Sequence, residues 1–203
     1  MHKIKIAVLA SFTLIDFDRK MEEACSEFGI SPDVYIAPYQ QHNQEILNPE
    51  SNLYRHNSDI LFLMLDSESF LGDYYSFPYR FDADDMREII KSKYDEIINL
   101  INAIKKNSSA TIVINSFKLP QFTPKGILEN KEEFGFFESI QELNNLIRQF
   151  AKKENRVFLF DLNQFYSKHG MAEIEDTRMH YLADMKLSAN GLKKIAREYA
   201  AYM

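Results

Sequence analysis

The chain has 203 residues, 45% of them hydrophobic, with 30 acidic side chains against 24 basic ones and a formal net charge of −6. That is enough apolar material for one full-sized core spanning residues 1–203, and an acidic balance without a basic stripe argues against nucleic acid and anionic membrane surfaces as partners. The sole cysteine, Cys25, makes a disulfide within the chain impossible, and no stretch reads as a signal peptide or a bilayer span, so a cytoplasmic protein is expected.

Strands and helices alternate along the chain. Lys3–Leu9 begins with charged and aliphatic residues in alternation and becomes wholly apolar, the pattern of a strand entering a sheet covered on both faces. Asp18–Phe28 is a predicted helix with Met21, Ala24, Cys25 and Phe28 on one face, stopped by Gly29. Cys25 sits among Glu22, Glu23 and Glu27, which disfavour a thiolate, so a structural role is expected. A short strand over Asp33–Ala37, limited by Pro38, precedes a brief helix over Gln40–Leu47. Asp59–Leu65 reads as the most deeply buried strand.

Phe70–Phe81 is rich in aromatic residues and contains Gly72 and Pro78. It predicts a long loop, either a lid or a segment that packs its rings on the core. A long amphipathic helix follows over Asp84–Lys106, then a strand over Ala110–Ile114 and an irregular stretch over Leu119–Phe134. Glu138–Lys153 is a helix and Val157–Phe160 a fifth strand. A polar loop is expected through His169-Gly170 and Asp176–Lys186. Ser188 is placed to cap a last helix, Ala189–Tyr202, in which Gly191 has a cost of about 1 kcal/mol relative to alanine and so implies close packing. The alternation predicts a three-layer α/β/α sandwich with a five-stranded, mostly parallel sheet.

Ligands of open α/β sheets sit at the carboxyl ends of the strands. Those ends carry Ser11 and Thr13, Asp66 and Glu68, Asn115 and Ser116, and Asp161. The loop before the last helix adds Asp176, Arg178, His180 and Lys186. Ser11, His180 and Asp176 have the side chains that a nucleophile, a base and an orienting acid require. Thr13, Asp66, Glu68, Asn115, Arg178 and Lys186 are the candidate binding residues. A hydroxyl at a strand-to-helix turn is more often a helix cap than a nucleophile, so capping of the helix that follows is the first expectation for Ser11 and Thr13. The five histidines include no pair at i, i+4 spacing and the first turn has no glycine, so neither a metal nor a phosphate-bearing cofactor is expected.

The motif positions resemble those of SGNH, or GDSL, hydrolases. In that family Gly-Asp-Ser ends the first strand, and its serine is the nucleophile. A turn after the third strand supplies an oxyanion-binding asparagine, and Asp-x-x-His precedes the last helix. Here those blocks fall on Ala10-Ser11-Phe12, on Asp66–Ser69 and on Ala183–Ser188. Phe12 takes the nucleophile position, Glu68 the asparagine position and Lys186 the histidine position. A carboxylate repels an oxyanion and an ammonium is a poor base at neutral pH, so the resemblance implies the fold without ordinary hydrolysis.

A second resemblance covers nearly the whole chain. Ile6–Thr13, Tyr39–Gln41, Leu47–Tyr54 and Ser58–Leu65 are similar to the N-terminal SGNH-like region of FkbH-like proteins. So are Phe117–Pro120, Leu143-Asn144, Phe160–Leu162, His169-Gly170 and Asp176–Met185 running into Leu187-Ser188. In that family the region precedes a HAD-type domain that dephosphorylates a phosphoglycerate donor and loads the glyceryl group on a carrier-protein thiol. The HAD signature Asp-x-Asp-x-Thr is not in this sequence. The resemblance therefore implies either a free-standing relative or a first half. It also implies a small acyl or glyceryl ligand, free or on an acyl carrier protein, a HAD-domain partner, and a setting in natural-product or surface-glycan assembly. A divergent esterase or acyltransferase using Ser11, and a structural docking domain, are the alternative expectations.

Overall fold

A computed structural model describes residues 2–203. In chain order the elements are β1 (His2–Ala10), α1 (Phe17–Glu27), β2 (Ile30–Ile36), α2 (His42–Leu47), α3 (Asn52–His56), β3 (Ile60–Met64), α4 (Ser67–Leu71) and α5 (Asp73–Ser76). After a 3-10 turn at Pro78–Arg80 come α6 (Ala83–Asn107), β4 (Thr111–Asn115) and a second 3-10 turn at Gly126–Lys131. The remainder is α7 (Phe136–Lys153), β5 (Val157–Phe160), α8 (Leu162–His169), α9 (Met171–Ile174), α10 (Thr177–Ala183) and α11 (Ala189–Ala200).

The five strands form one all-parallel sheet in the order β2-β1-β3-β4-β5. Alternate side chains of each strand leave opposite faces, which produces two apolar layers. Leu9, Leu63 and Ile114 pack with Ile97, Ile101 and Ile104 of α6 and Ile140 and Leu143 of α7. Val8, Phe62 and Val113 meet Met21 and Cys25 of α1 and Leu192, Ile195 and Tyr199 of α11. The Tyr199 ring stacks on Phe62 at 4.0 Å and stands edge-on to Phe160 at 5.0 Å. Cys25 is fully buried and burial pushes its thiol pKa up, in keeping with a structural role.

Four expectations change or sharpen here. β2 begins at Ile30, three residues before the expected Asp33, and takes in Pro32. It is an edge strand, where a missing N–H costs little. The aromatic stretch is not a loop or lid: it forms α4, α5 and a 3-10 turn. Phe70 stacks on Phe117 at 5.2 Å, and Tyr74 meets Phe81 and Phe136 edge-on, so these rings belong to the core. The predicted polar loop up to Lys186 is largely helical, as α8, α9 and α10. Those helices are set by local chemistry, since Asp161 and Asp176 cap α8 and α10 and Gly170 separates α8 from α9 at φ 79°. Ser188 does cap α11, and a Cβ on Gly191 would lie 2.2 Å from the Ile174 carbonyl oxygen, so close packing excludes a side chain there.

Candidate active site at the carboxyl edge of the sheet

The strand order reverses direction between β1 and β3, and a crevice opens at that switch point outside the strand ends. Side chains stitch the turns around it together. Ser11 Oγ accepts hydrogen bonds from Asp66 N and from Ser69 Oγ, both at 2.8 Å. The Asn115 amide accepts from Leu65 N at 2.8 Å and donates to Leu65 O at 2.9 Å. The Asn144 amide brackets Phe117 in the same way, accepting from its N at 2.7 Å and donating to its O at 2.9 Å. These contacts satisfy buried backbone groups that leave the sheet without a ladder partner.

The crevice holds a cleft of about 100 Å³. Its apolar lining includes Phe12, Met64, Leu162, Leu187 and Ile195, and most of its charged lining falls into two clusters. In the first, Lys186 Nζ lies 2.9 Å from Glu68 Oε2, 3.1 Å from Asp184 Oδ1 and 3.6 Å from Asp66 Oδ2. Its ammonium also touches His180 Nε2, which stands 3.0 Å from the same Glu68 oxygen. One ring nitrogen cannot both accept from Lys186 and donate to Glu68, so imidazole and ammonium compete for that carboxylate. Burial alone pulls the Lys186 pKa down, but Asp66, Glu68 and Asp184 outweigh it and the net shift is upward. Burial alone pushes Glu68 up, but Lys186 and His180 outweigh it and hold Glu68 below the usual carboxylate range. Lys186 is therefore a fixed cation and not a general base.

The second cluster is Lys118, Glu175, Tyr166 and Tyr75. Glu175 Oε1 accepts from Lys118 Nζ at 2.6 Å and from the Tyr166 hydroxyl at 2.8 Å. Burial, reinforced by Asp66, Glu68 and Glu175, pushes Tyr75 up to about 12. Burial and then Glu175 raise Tyr166 as well. Sequence reasoning missed this cluster. Lys118 follows the β4 end by three residues and Glu175 directly precedes Asp176, so position at the strand edge was the available signal.

Of the sequence-derived candidates, Asp66, Glu68, Asn115, Asp176, His180 and Lys186 line the cleft. Ser11 is buried beside it with its hydroxyl committed to Asp66 and Ser69. Neither Ser11 nor Thr13 caps α1, whose N-cap is Asp16. Thr13 ties the β1 turn to the α10 end through its backbone N and Asp184 O at 3.0 Å. Asp176 caps α10 by accepting from Met179 N at 2.9 Å. No side-chain hydrogen bond joins Ser11 to His180 or Asp176 to His180 among the described residues. Arg178 is exposed on α10 outside the cleft lining. Asn115 spends its amide on the backbone of Leu65 and Ser116. Among the described residues no group of three or more His, Cys, Asp or Glu side chains is placed to hold a metal ion, and no helix is long and apolar enough to cross a membrane.

This sheet order, with polar groups gathered at its switch point, defines an α/β/α fold of the SGNH or GDSL hydrolase kind. The chain is similar to a putative GDSL-like lipase from Parabacteroides merdae, with a TM-score of 0.58 at 10% identity, covering 99% of this chain and 96% of that one. It is similar also to the acetylxylan esterase Axe2 of Geobacillus stearothermophilus, at 0.55 and 14%, covering 98% and 93%. Within that fold, the chain belongs to the FkbH N-terminal domain family, whose description "FkbH, N-terminal domain" matches residues 5–200. It is further similar to the N-terminal part of BF1531 from Bacteroides fragilis, a structure containing a phosphatase domain complexed with Mg, with a TM-score of 0.82 at 16% identity. That match covers 98% of this chain and 51% of the other, so the chain spans about half the length of that N-terminal part. No curated protein matches the chain in sequence.

Proposed function

We propose that this domain binds a small acyl or glyceryl group, free or on its carrier protein, without ordinary ester hydrolysis. The observation that carries this reading is the Lys186 ammonium, surrounded by Glu68, Asp184 and Asp66 where an SGNH hydrolase has its base. The cleft has room for only a few heavy atoms, which suits an acetyl or three-carbon unit, and its apolar floor suits the carbon chain. Phe12 fills the nucleophile position and lines the cleft. The neighbouring structure containing a phosphatase domain supports a HAD-type partner, in trans or on the same polypeptide. The single cysteine favours a reducing, cytoplasmic setting, and membership of the FkbH N-terminal domain family favours a role in natural-product or surface-glycan assembly.

A divergent esterase or acyltransferase is the second reading, favoured by Asp176 and His180 both lining the cleft. Labelling with a fluorophosphonate and turnover of short p-nitrophenyl esters separate the two. No labelling, with saturable binding of a glyceryl- or acetyl-loaded carrier protein that Lys186→Met weakens, is the expected result. Labelling abolished in Ser11→Ala overturns the binding-only reading.

A further inference from the structure

We propose that a second, separate groove beside the cleft binds a neutral glycan chain. The groove is formed by residues 75–79 and 118–124, with Phe136 against it, and has a volume of about 420 Å³. It shares Tyr75 and Lys118 with the cleft, so the two spaces adjoin.

Two aromatic rings in it are largely exposed. Phe122 is 86% exposed and Tyr79 is 66% exposed, although both residues line the groove. Of the other aromatic residues in the neighbouring stretch, Phe70 and Tyr74 are buried and Phe77 is 38% exposed. Exposed apolar surface concentrated in a concave site marks a binding surface.

The charge pattern selects the occupant. Among the described residues lining the groove, the one charged side chain is Lys118, and Glu175 neutralises it at 2.6 Å. The lining itself offers a phosphorylated arm or an acidic polymer no unpaired cation; Arg80, 4.3 Å over Phe77 and 5.9 Å from the Tyr79 ring, lines the adjoining pocket, and the acidic control tests its reach. A peptide adding a strand needs a free sheet edge, and neither edge strand, β2 or β5, contributes to the lining. Ser76, Gln121 and Thr123 instead put neutral donors and acceptors beside the rings. A sugar ring has an apolar C–H face and a hydroxylated edge, and it matches aromatic faces flanked by amides and hydroxyls without bringing charge. A chain lying in the groove reaches the cleft past Tyr75 and Lys118 and presents a hydroxyl to the Lys186 cluster. Only that last point rests on the acyl-binding reading; binding in the groove stands without it.

Native gel electrophoresis through neutral polymers tests the assignment, with hydroxyethylcellulose, arabinoxylan, galactomannan and dextran as probes and polygalacturonate as the acidic control. At least one neutral polymer retards the wild-type chain. The Tyr79→Ala/Phe122→Ala double variant loses about tenfold or more in apparent affinity. Phe122→Tyr keeps the retardation, and so does Phe158→Ala, an exposed aromatic on the far edge strand. Retardation by none of the neutral polymers overturns the proposal, as does retardation by polygalacturonate alone or equal retardation of the double variant. A dimer in light scattering that the double variant converts to a monomer also overturns it, because the groove is then a self-contact. Loss of carrier binding with retained glycan retardation counts against the acyl reading alone.

Discussion

Lys186 Nζ and Glu68 Oε2 lie 2.9 Å apart across 118 residues of sequence. The contact clamps the loop before α11 to the first turn of α4, and Asp66 and Asp184 crowd the same ammonium. Lys186→Met leaves three carboxylates around an uncharged side chain. Removing one partner of a largely buried pair is strongly destabilising, and the partly exposed Glu68 moderates the effect. A loss of about 2–3 kcal/mol is expected in urea unfolding at pH 7, and the loss shrinks as the pH is lowered and the carboxylates take up protons.

The pH dependence of the wild type follows from the same pair. Glu68 has its folded-state pKa depressed, so its stabilising contribution is complete above the unfolded carboxylate value of about 4.3. It is lost as the pH falls through the lower, folded value. Lys186 has its folded-state pKa raised, so its contribution is complete below about 10.4 and is lost as the pH rises through the folded value. Carbon-detected NMR titration of Glu68 checks the first half. Its midpoint lies below that of a solvated glutamate in the wild type and moves upward in Lys186→Met.

Gly191→Ala is expected to destabilise the fold although alanine favours helix by about 1 kcal/mol. The new methyl meets backbone at 2.2 Å, with no flexible side chain to yield. α11 must shift away from α9, and overpacking of this kind costs about 1–3 kcal/mol net of propensity. A lowered melting temperature in calorimetry is the readout, and a rise would show that α9 gives way freely.

Asn144→Ala unpairs the N–H and carbonyl of Phe117, both held by its amide. Buried unsatisfied groups cost about 1–3 kcal/mol each, so a loss of about 2–6 kcal/mol in denaturant unfolding is expected. Asn144→Asp keeps the acceptor and loses the donor, and it falls between the two.

The sheet and its rim were legible in the sequence because apolar runs such as Ile60–Met64 are long enough to announce buried strands and because their polar ends mark the carboxyl edge. Gly191 was legible for the same kind of reason, as a costly residue inside a strong amphipathic pattern. α10 was not: none of its residues is buried, so it has no apolar period, and Asp176 as a cap is its only strong local signal. The partnership of His180 with Lys186 was hidden because six residues of sequence separate them, and only the left-handed turn at Asp184, φ 51°, folds one back on the other. The Lys118–Glu175–Tyr166 group depends on three elements meeting and has no spacing that sequence alone could expose.

The two flanks of the sheet are not equivalent. On β2, Pro32 interrupts the row of donors along the outer rim, which makes templated addition of another strand unfavourable there. On β5 the rim is short but uninterrupted, and it carries Phe158 with more than half its surface in solvent. Any runaway stacking of partly unfolded copies therefore has a preferred direction of growth, outward from β5. A lysine at position 158 is the single change that would close that route while leaving the rim that holds the cleft untouched.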